Sequence, residues 1–155
     1  MAYNYRQGFW KPKNPEKYIG DVNQIFYRSG WELKFLNFAD MNPQVLKYGS
    51  EELAIPYFSE VDKKMHRYFP DFLMIVQNNS GQVKKYMVEI KPHKERFIPK
   101  RPSKITKRYI TEMKTYSVNQ SKWRAAEAFC AKQNIEFIVM DEYSLGIARK
   151  KKVAS

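Results

Sequence analysis

The sequence predicts an α/β or α+β domain on three observations. Apolar residues recur at helical spacing from residue 30 and again over 119–133; the stretches 51–58, 67–77 and 83–90 read as strands; and a last apolar strand, 135–140, follows the second helical region. The order helix, three strands, one or two helices, strand mixes both element types along a chain of 155 residues, about the length of one domain. We expect one folded domain over 21–147, a basic and aromatic arm over 1–20, and a basic tail over 148–155.

The first helix opens at Ser29, a good N-cap, with Glu32 three residues on completing a capping-box pattern. On a wheel of about 100° per residue, Trp31, Phe35, Leu36, Phe38 and Ala39 share an apolar arc. Glu32 falls inside that arc, whereas Lys34, Asn37 and Asp40 fall outside it. EELAIPYF (51–58) then reads as a strand whose Pro56 marks an edge or a bulge. RYFPDFLMIVQ (67–77) is apolar on both sides after Asp71 and reads as a central strand, NNSGQ as a turn, and VKKYMVEI (83–90) as the returning strand. Helices are expected around 105–115 and over about 119–133, the latter capped by Asn119. Trp123, Ala126 and Cys130 lie on its core-facing stripe, with Gln120 and Lys122 able to reach the end of the sheet.

Composition narrows the function. Apolar residues make up 43% and aromatics 15%, too rich for disorder, and no apolar run nears the roughly 18 residues a membrane helix needs. The opening MAYNYRQGFW lacks a secretory apolar stretch and the single Cys130 has no partner for an internal disulfide, so a soluble, cytoplasmic protein is expected. The formal charge of +12 favours a polyanionic partner, and nucleic acid above a membrane surface, because the cations cluster. Lys11 and Lys13 sit in FWKPKNPEKY; Lys94, Arg96, Lys100, Arg101, Lys104, Lys107 and Arg108 follow Lys91 in a loop that Pro92, Pro99 and Pro102 keep extended; RKKK closes the chain. These side chains, with Lys122, are the candidate grip on a sugar-phosphate backbone. Such contact carries no base information, so sequence-independent binding of double-stranded DNA is expected.

Chemistry enters at VEIKP (88–92). Residues two apart in a strand share a face, so Glu89 and Lys91 point one way and Ile90 the other. A hairpin centred near residue 80 pairs residues summing to about 160, which sets Asp71 opposite Glu89. Two adjacent carboxylates repel unless a proton or a cation lies between them. A hard divalent cation such as Mg²⁺ suits this oxygen site, and with Lys91 beside it phosphodiester hydrolysis becomes possible. Two cations have room if Glu32 joins from the helix, and the residue pattern leaves their number open. The competing readings are a cross-strand salt bridge for the triplet and plain capping for Glu32. His66 and His93 are too few and too separated for a zinc site.

Pro70-Asp71 followed by Glu89-Ile90-Lys91 resembles the PD-(D/E)xK nuclease superfamily, whose restriction-endonuclease-like core runs αβββαβ with a mixed central sheet flanked by helices. YRSGWE, YGSEELAIPYF, RYFPDF and YSVNQSKWRAAEAF extend the resemblance to phage head completion nucleases of the T-even type and, more distantly, to TnsA-type transposon endonucleases, over about 9–147. The resemblance implies Asp71, Glu89 and the Ile90 carbonyl as metal ligands, Lys91 as the catalytic lysine and Glu32 as a further acid. It implies Mg²⁺, with Mn²⁺ able to substitute, a DNA substrate, portal or head proteins as partners, and a place in the virion head or host cytoplasm. A structural portal-capping role on a vestigial nuclease fold, or a transposon end-cleaving subunit, are the alternatives.

Overall fold

In the computed structural model, residues 6–50 and 53–147 are described. Strand β1 (Gly8–Phe9) pairs antiparallel with β2 (Phe26–Tyr27), and α1 (Gly30–Met41) follows. Ser29 caps α1 by accepting the Glu32 amide at 3.1 Å. Trp31, Phe35, Leu36 and Ala39 are buried as the apolar arc predicts. Two positions depart from it: Phe38 stays 42% exposed, whereas Asp40, expected on the polar side, is buried.

The reason lies in the preceding segment, which folds back on the end of α1. Asp40 Oδ2 accepts the Lys13 amide at 2.9 Å, both its oxygens accept the Asn14 amide, and Tyr48 Oη donates to Oδ1 at 3.0 Å. Lys17 Nζ donates to the carbonyls of Ala39, Asp40 and Asn42 at 2.7–2.9 Å, so a cation from outside the helix satisfies its C-terminal acceptors.

Next come β3 (Val45–Ser50), β4 (Ile55–Ser59), β5 (Lys64–Tyr68), β6 (Phe72–Gln77) and β7 (Val83–Ile90), then α2 (Lys107–Lys132) and β8 (Glu136–Met140). The central sheet has the order β3-β6-β7-β8, antiparallel except for the parallel pair β7–β8. With α1 before it and α2 crossing from β7 to β8, the chain has the expected αβββαβ core in a mixed sheet.

Three expectations need correction. The first core strand is β3, not 51–58: a bulge between Val45 and Lys47 breaks the alternation by which a half-buried strand is recognised. Residues 55–59 instead form a separate hairpin with β5, while 51 and 52 lie outside the described residues. The stretch 67–77 is two strands, parted at Phe69-Pro70-Asp71, because proline has no amide for a ladder. The two predicted helices are one 26-residue helix capped by Thr106, which leaves Asn119 inside it and not at its start. Its Thr111 to Gln120 stretch is polar enough to read as a break, although no proline or glycine interrupts it.

Each face of the sheet has its own core. On one, α1 contributes Trp31, Phe35 and Leu36 to a cluster with Tyr48, Phe72, Val88 and Ile90. On the other, Trp123 and Ala126 of α2 pack against Ile55, Tyr57 and Tyr68 of the β4–β5 hairpin. No helix among the described residues is long and apolar enough to cross a membrane.

Candidate active site

The β6–β7 ladder pairs Phe72 with Val88 and Gln77 with Val83, so every pair sums to 160, as the turn predicts. Asp71 stands one residue before β6, where the ladder would set it opposite Glu89. Its Oδ2 accepts the Ile90 amide at 2.8 Å, which ties the bend after Pro70 to the end of β7. Ile90 and Val88 face the α1 core; Glu89, between them, faces α2 and the hairpin.

Glu89 is buried, and Tyr68 Oη donates to its Oε2 at 2.7 Å. Burial and then the Asp71 charge push its carboxyl up to about 8, against the pull of Tyr68, Lys91 and Lys122. Asp71 is also raised by burial, partly offset by the Ile90 amide, Lys91, Arg28 and a hydrogen bond from Glu89. Burial thus disfavours the charge on each carboxyl, and at Glu89 the Asp71 charge adds to it, a tension that a proton or a cation relieves. Lys122 lies near enough to feel both acids; burial and then Lys91 lower its ammonium. Its Nζ sits 5.6 Å from the centre of the Tyr68 ring. Glu32, half-buried on α1, is raised by burial and then by Asp71, against hydrogen bonds from the Arg28 amide and Ser29. Capping and proximity to the acids coexist in that one residue.

Tyr68 and Arg28 were not found by the sequence reading. Tyr68 alternates like any aromatic strand residue, and only the hairpin's placement on the sheet brings its hydroxyl to Glu89.

The expected cations are placed differently from one another. Lys94, Lys100 and Arg108 line one cleft between residues 92–100 and α2. Arg101, Lys104 and Lys107 are exposed. Arg96 instead donates to buried Asp141 at 2.7 Å, alongside His93 Nδ1 at 2.8 Å. Burial would raise the Asp141 carboxyl, yet donors from His93, the Ser144 amide and Arg96 hold it well below the usual range. Lys11 and Lys13 are exposed on the segment clasped to α1. The RKKK tail lies outside the described residues.

Among the described residues no group of three or more His, Cys, Asp or Glu is arranged as a metal site. A cation here would rest on two carboxylates, main-chain oxygen and water. That donor set, hard and made of oxygen alone, fits Mg²⁺ better than a soft metal.

A family model described as the TnsA-like endonuclease N-terminal domain matches residues 42–142. The chain is 42% identical over 149 residues to the head completion nuclease of Enterobacteria phage T4, covering 94% of this chain and 95% of that protein. No solved structure matches.

Proposed function

Because this chain belongs to the TnsA-like endonuclease family, and resembles the phage T4 protein over nearly the full length of both, we propose that it is a metal-dependent DNA nuclease acting in phage head completion. The observation that carries the chemistry is the meeting of Asp71 with buried Glu89 at the end of β7, where a cation would offset charge that burial disfavours. Asp71, Glu89 and the Ile90 carbonyl would hold Mg²⁺ or Mn²⁺, which when bound supplies positive charge against the phosphate and lowers the pKa of a bound water.

The chain's own residues do the rest. Tyr68 fixes the rotamer of Glu89 through its hydroxyl, and the Ile90 amide fixes Asp71, so both carboxylates face one point. Lys91, on the same side of β7 as Glu89, orients the attacking water and stabilises charge growing on the phosphoryl oxygens through Nζ. Lys122 adds a second ammonium from α2, drawn toward the acids and half removed from solvent. Glu32 is near enough to Asp71 to take part if a second cation binds. The exposed cations of 94–108 contact backbone phosphates on either side of the cut. The protein would work in the assembling head or the host cytoplasm, with portal or head proteins as neighbours.

The test is cleavage of linear and circular duplex DNA by the purified protein with Mg²⁺, Mn²⁺, Ca²⁺ or EDTA. We expect cutting with Mg²⁺ and Mn²⁺ only, and a loss of at least about a hundredfold in Asp71→Ala and Lys91→Ala. Undiminished cutting by either variant, with folding unchanged, would remove the assignment.

A further inference from the structure

Beyond the acid pair, a cleft of about 660 Å³ opens between the segment that follows Lys91 and the first half of α2. A duplex cannot enter a space of that size, but it falls within the roughly 300–1,000 Å³ of sites that enclose one small molecule. Its lining divides into three chemical zones. Pro92, Phe97 and Ile98 form an apolar wall facing Tyr116 on the helix. Lys94 and Lys100 provide cations around it, while Glu95 also lines it and Arg108 donates through Nε to Glu112 Oε1 at 3.0 Å. Asn119 lies on its helical side; the residue is buried, and its Nδ2 has no hydrogen-bond partner.

Two of these features stand out among the described residues. A buried amide donor without an acceptor is uncommon in native folds, and here the residue carrying it borders an open cleft. Phe97 and Ile98 are 55% and 64% exposed, yet the backbone presenting them is held firmly. His93 and Arg96, in the turn just before them, both bind Asp141, and the His93 ring lies 4.9 Å from that of Phe97. An aromatic held out in solvent on an anchored turn suits stacking on a ligand.

We propose that this cleft receives a single nucleotide extruded from the DNA, its base between Phe97 and Tyr116, its edge toward Asn119, and its phosphate toward Lys94 and Lys100. The proposal rests on the nuclease reading above. The position agrees with that use: Pro92 follows Lys91 directly, and Asn119 lies one turn of α2, about 4.5 Å of rise, before Lys122, which feels both site acids. A nucleotide leaving the stack here would be a near neighbour of the phosphate at the acid pair. Apolar walls with a polar edge contact and cations for the backbone are the means by which proteins hold unstacked bases.

The test uses full-length Asp71→Asn protein, without metal, and measures binding by fluorescence anisotropy to duplexes that are fully paired, carry one central mismatch, or carry an abasic site on both strands at the central position. A mismatch lowers the cost of extruding a base, so binding tightens about tenfold over the paired duplex. The abasic duplex is as deformable but has no base to seat, and shows no such gain. Phe97→Ala removes the gain, as does Asn119→Leu; Phe97 is exposed, so its variant stays folded even if the Asn119 change perturbs the helix. Equal affinity for all three duplexes, a gain that the abasic site reproduces, or a gain that survives Phe97→Ala overturns the proposal. So does saturation of the cleft by a free deoxynucleoside monophosphate in a protein indifferent to mismatches. Cleavage of paired DNA by the unsubstituted protein with Mg²⁺ is scored separately, so its absence would remove the nuclease reading while leaving the mismatch result standing.

Discussion

Glu89 joins burial, a tyrosine hydroxyl and a neighbouring acid in one side chain, and its titration has a readable consequence. Its carboxyl is near 4.5 in an unfolded chain and is pushed up to about 8 in the folded, metal-free protein. Between those values the folded state holds a proton that the unfolded state has released, so stability falls as pH rises. Metal-free protein should therefore melt at a lower temperature at pH 8 than at pH 5.5, by an amount on the order of 2 kcal/mol. Glu89→Gln should flatten that part of the profile. Mg²⁺ should raise the melting temperature more at pH 8 than at pH 5.5, because at the lower pH a cation must displace the proton on Glu89. Calorimetry of both proteins in EDTA and in Mg²⁺ checks all three outcomes; a Glu89→Gln profile as steep as the native one would mean the proton lies elsewhere. Asp40 shows how far environment decides a residue's part. It too is buried, but its oxygens are met by the amides of Lys13 and Asn14 and by Tyr48 Oη, so it acts as a structural anchor and not as part of the reactive pair.

That anchor joins two elements, the segment 10–18 and the end of α1. Asp40→Ala would leave two main-chain amides and a buried phenol without their acceptor, at a cost of about 3 kcal/mol. Denaturant unfolding should show that loss, Asp40→Asn should lose less, and limited proteolysis should cut near residue 13 sooner in the alanine variant. Gly49 supports the same junction from the sheet. A Cβ there would stand 2.6 Å from the Ile19 carbonyl, against backbone that cannot yield because the Ile19 amide is bound to Tyr48. At the other end of the fold, the unbroken α2 carries Arg108, Asn119, Lys122 and Trp123 on one rigid rod. Two shorter helices with a joint between them could not set the cleft and the acid pair at a constant separation.

The whole molecule carries a formal charge of +12, and one run of exposed cations, Lys94 to Arg108, follows the loop and helix beside the acids. Binding to duplex DNA should release counterions, so the logarithm of affinity should fall linearly with the logarithm of salt, by about 0.9 for each phosphate neutralised. The double variant Arg101→Ala, Lys104→Ala should lower that slope by about 2 without altering the paired-duplex sequence preference. An unchanged slope would place the DNA on another face. The sheet also brings the proposed site residues to one end: Asp71 before β6, and Glu89 and Lys91 where β7 finishes. Antiparallel pairing of β6 with β7 makes that meeting obligatory once the turn is set.

Much of this was legible from residue order alone. Period-two alternation and the turn at 78–82 were enough to state the register that brings Asp71 and Glu89 together, because one turn between two strands admits few pairings. The Ser29 cap and the apolar stripe of α1 follow from local spacing in the same way, whereas the Asn119 cap and the strand at 51–58 did not survive packing. What local spacing could not settle was every feature joining distant segments. The bulged β3, the separate β4–β5 hairpin, the Tyr68 hydroxyl on Glu89, the clasp of Lys17 and Asp40, and the capture of Arg96 by Asp141 depend on which surfaces meet. Periodicity reports whether a side chain faces inward, but its partner there is decided only when the layers pack, since burial makes each polar group find an acceptor or a donor within reach.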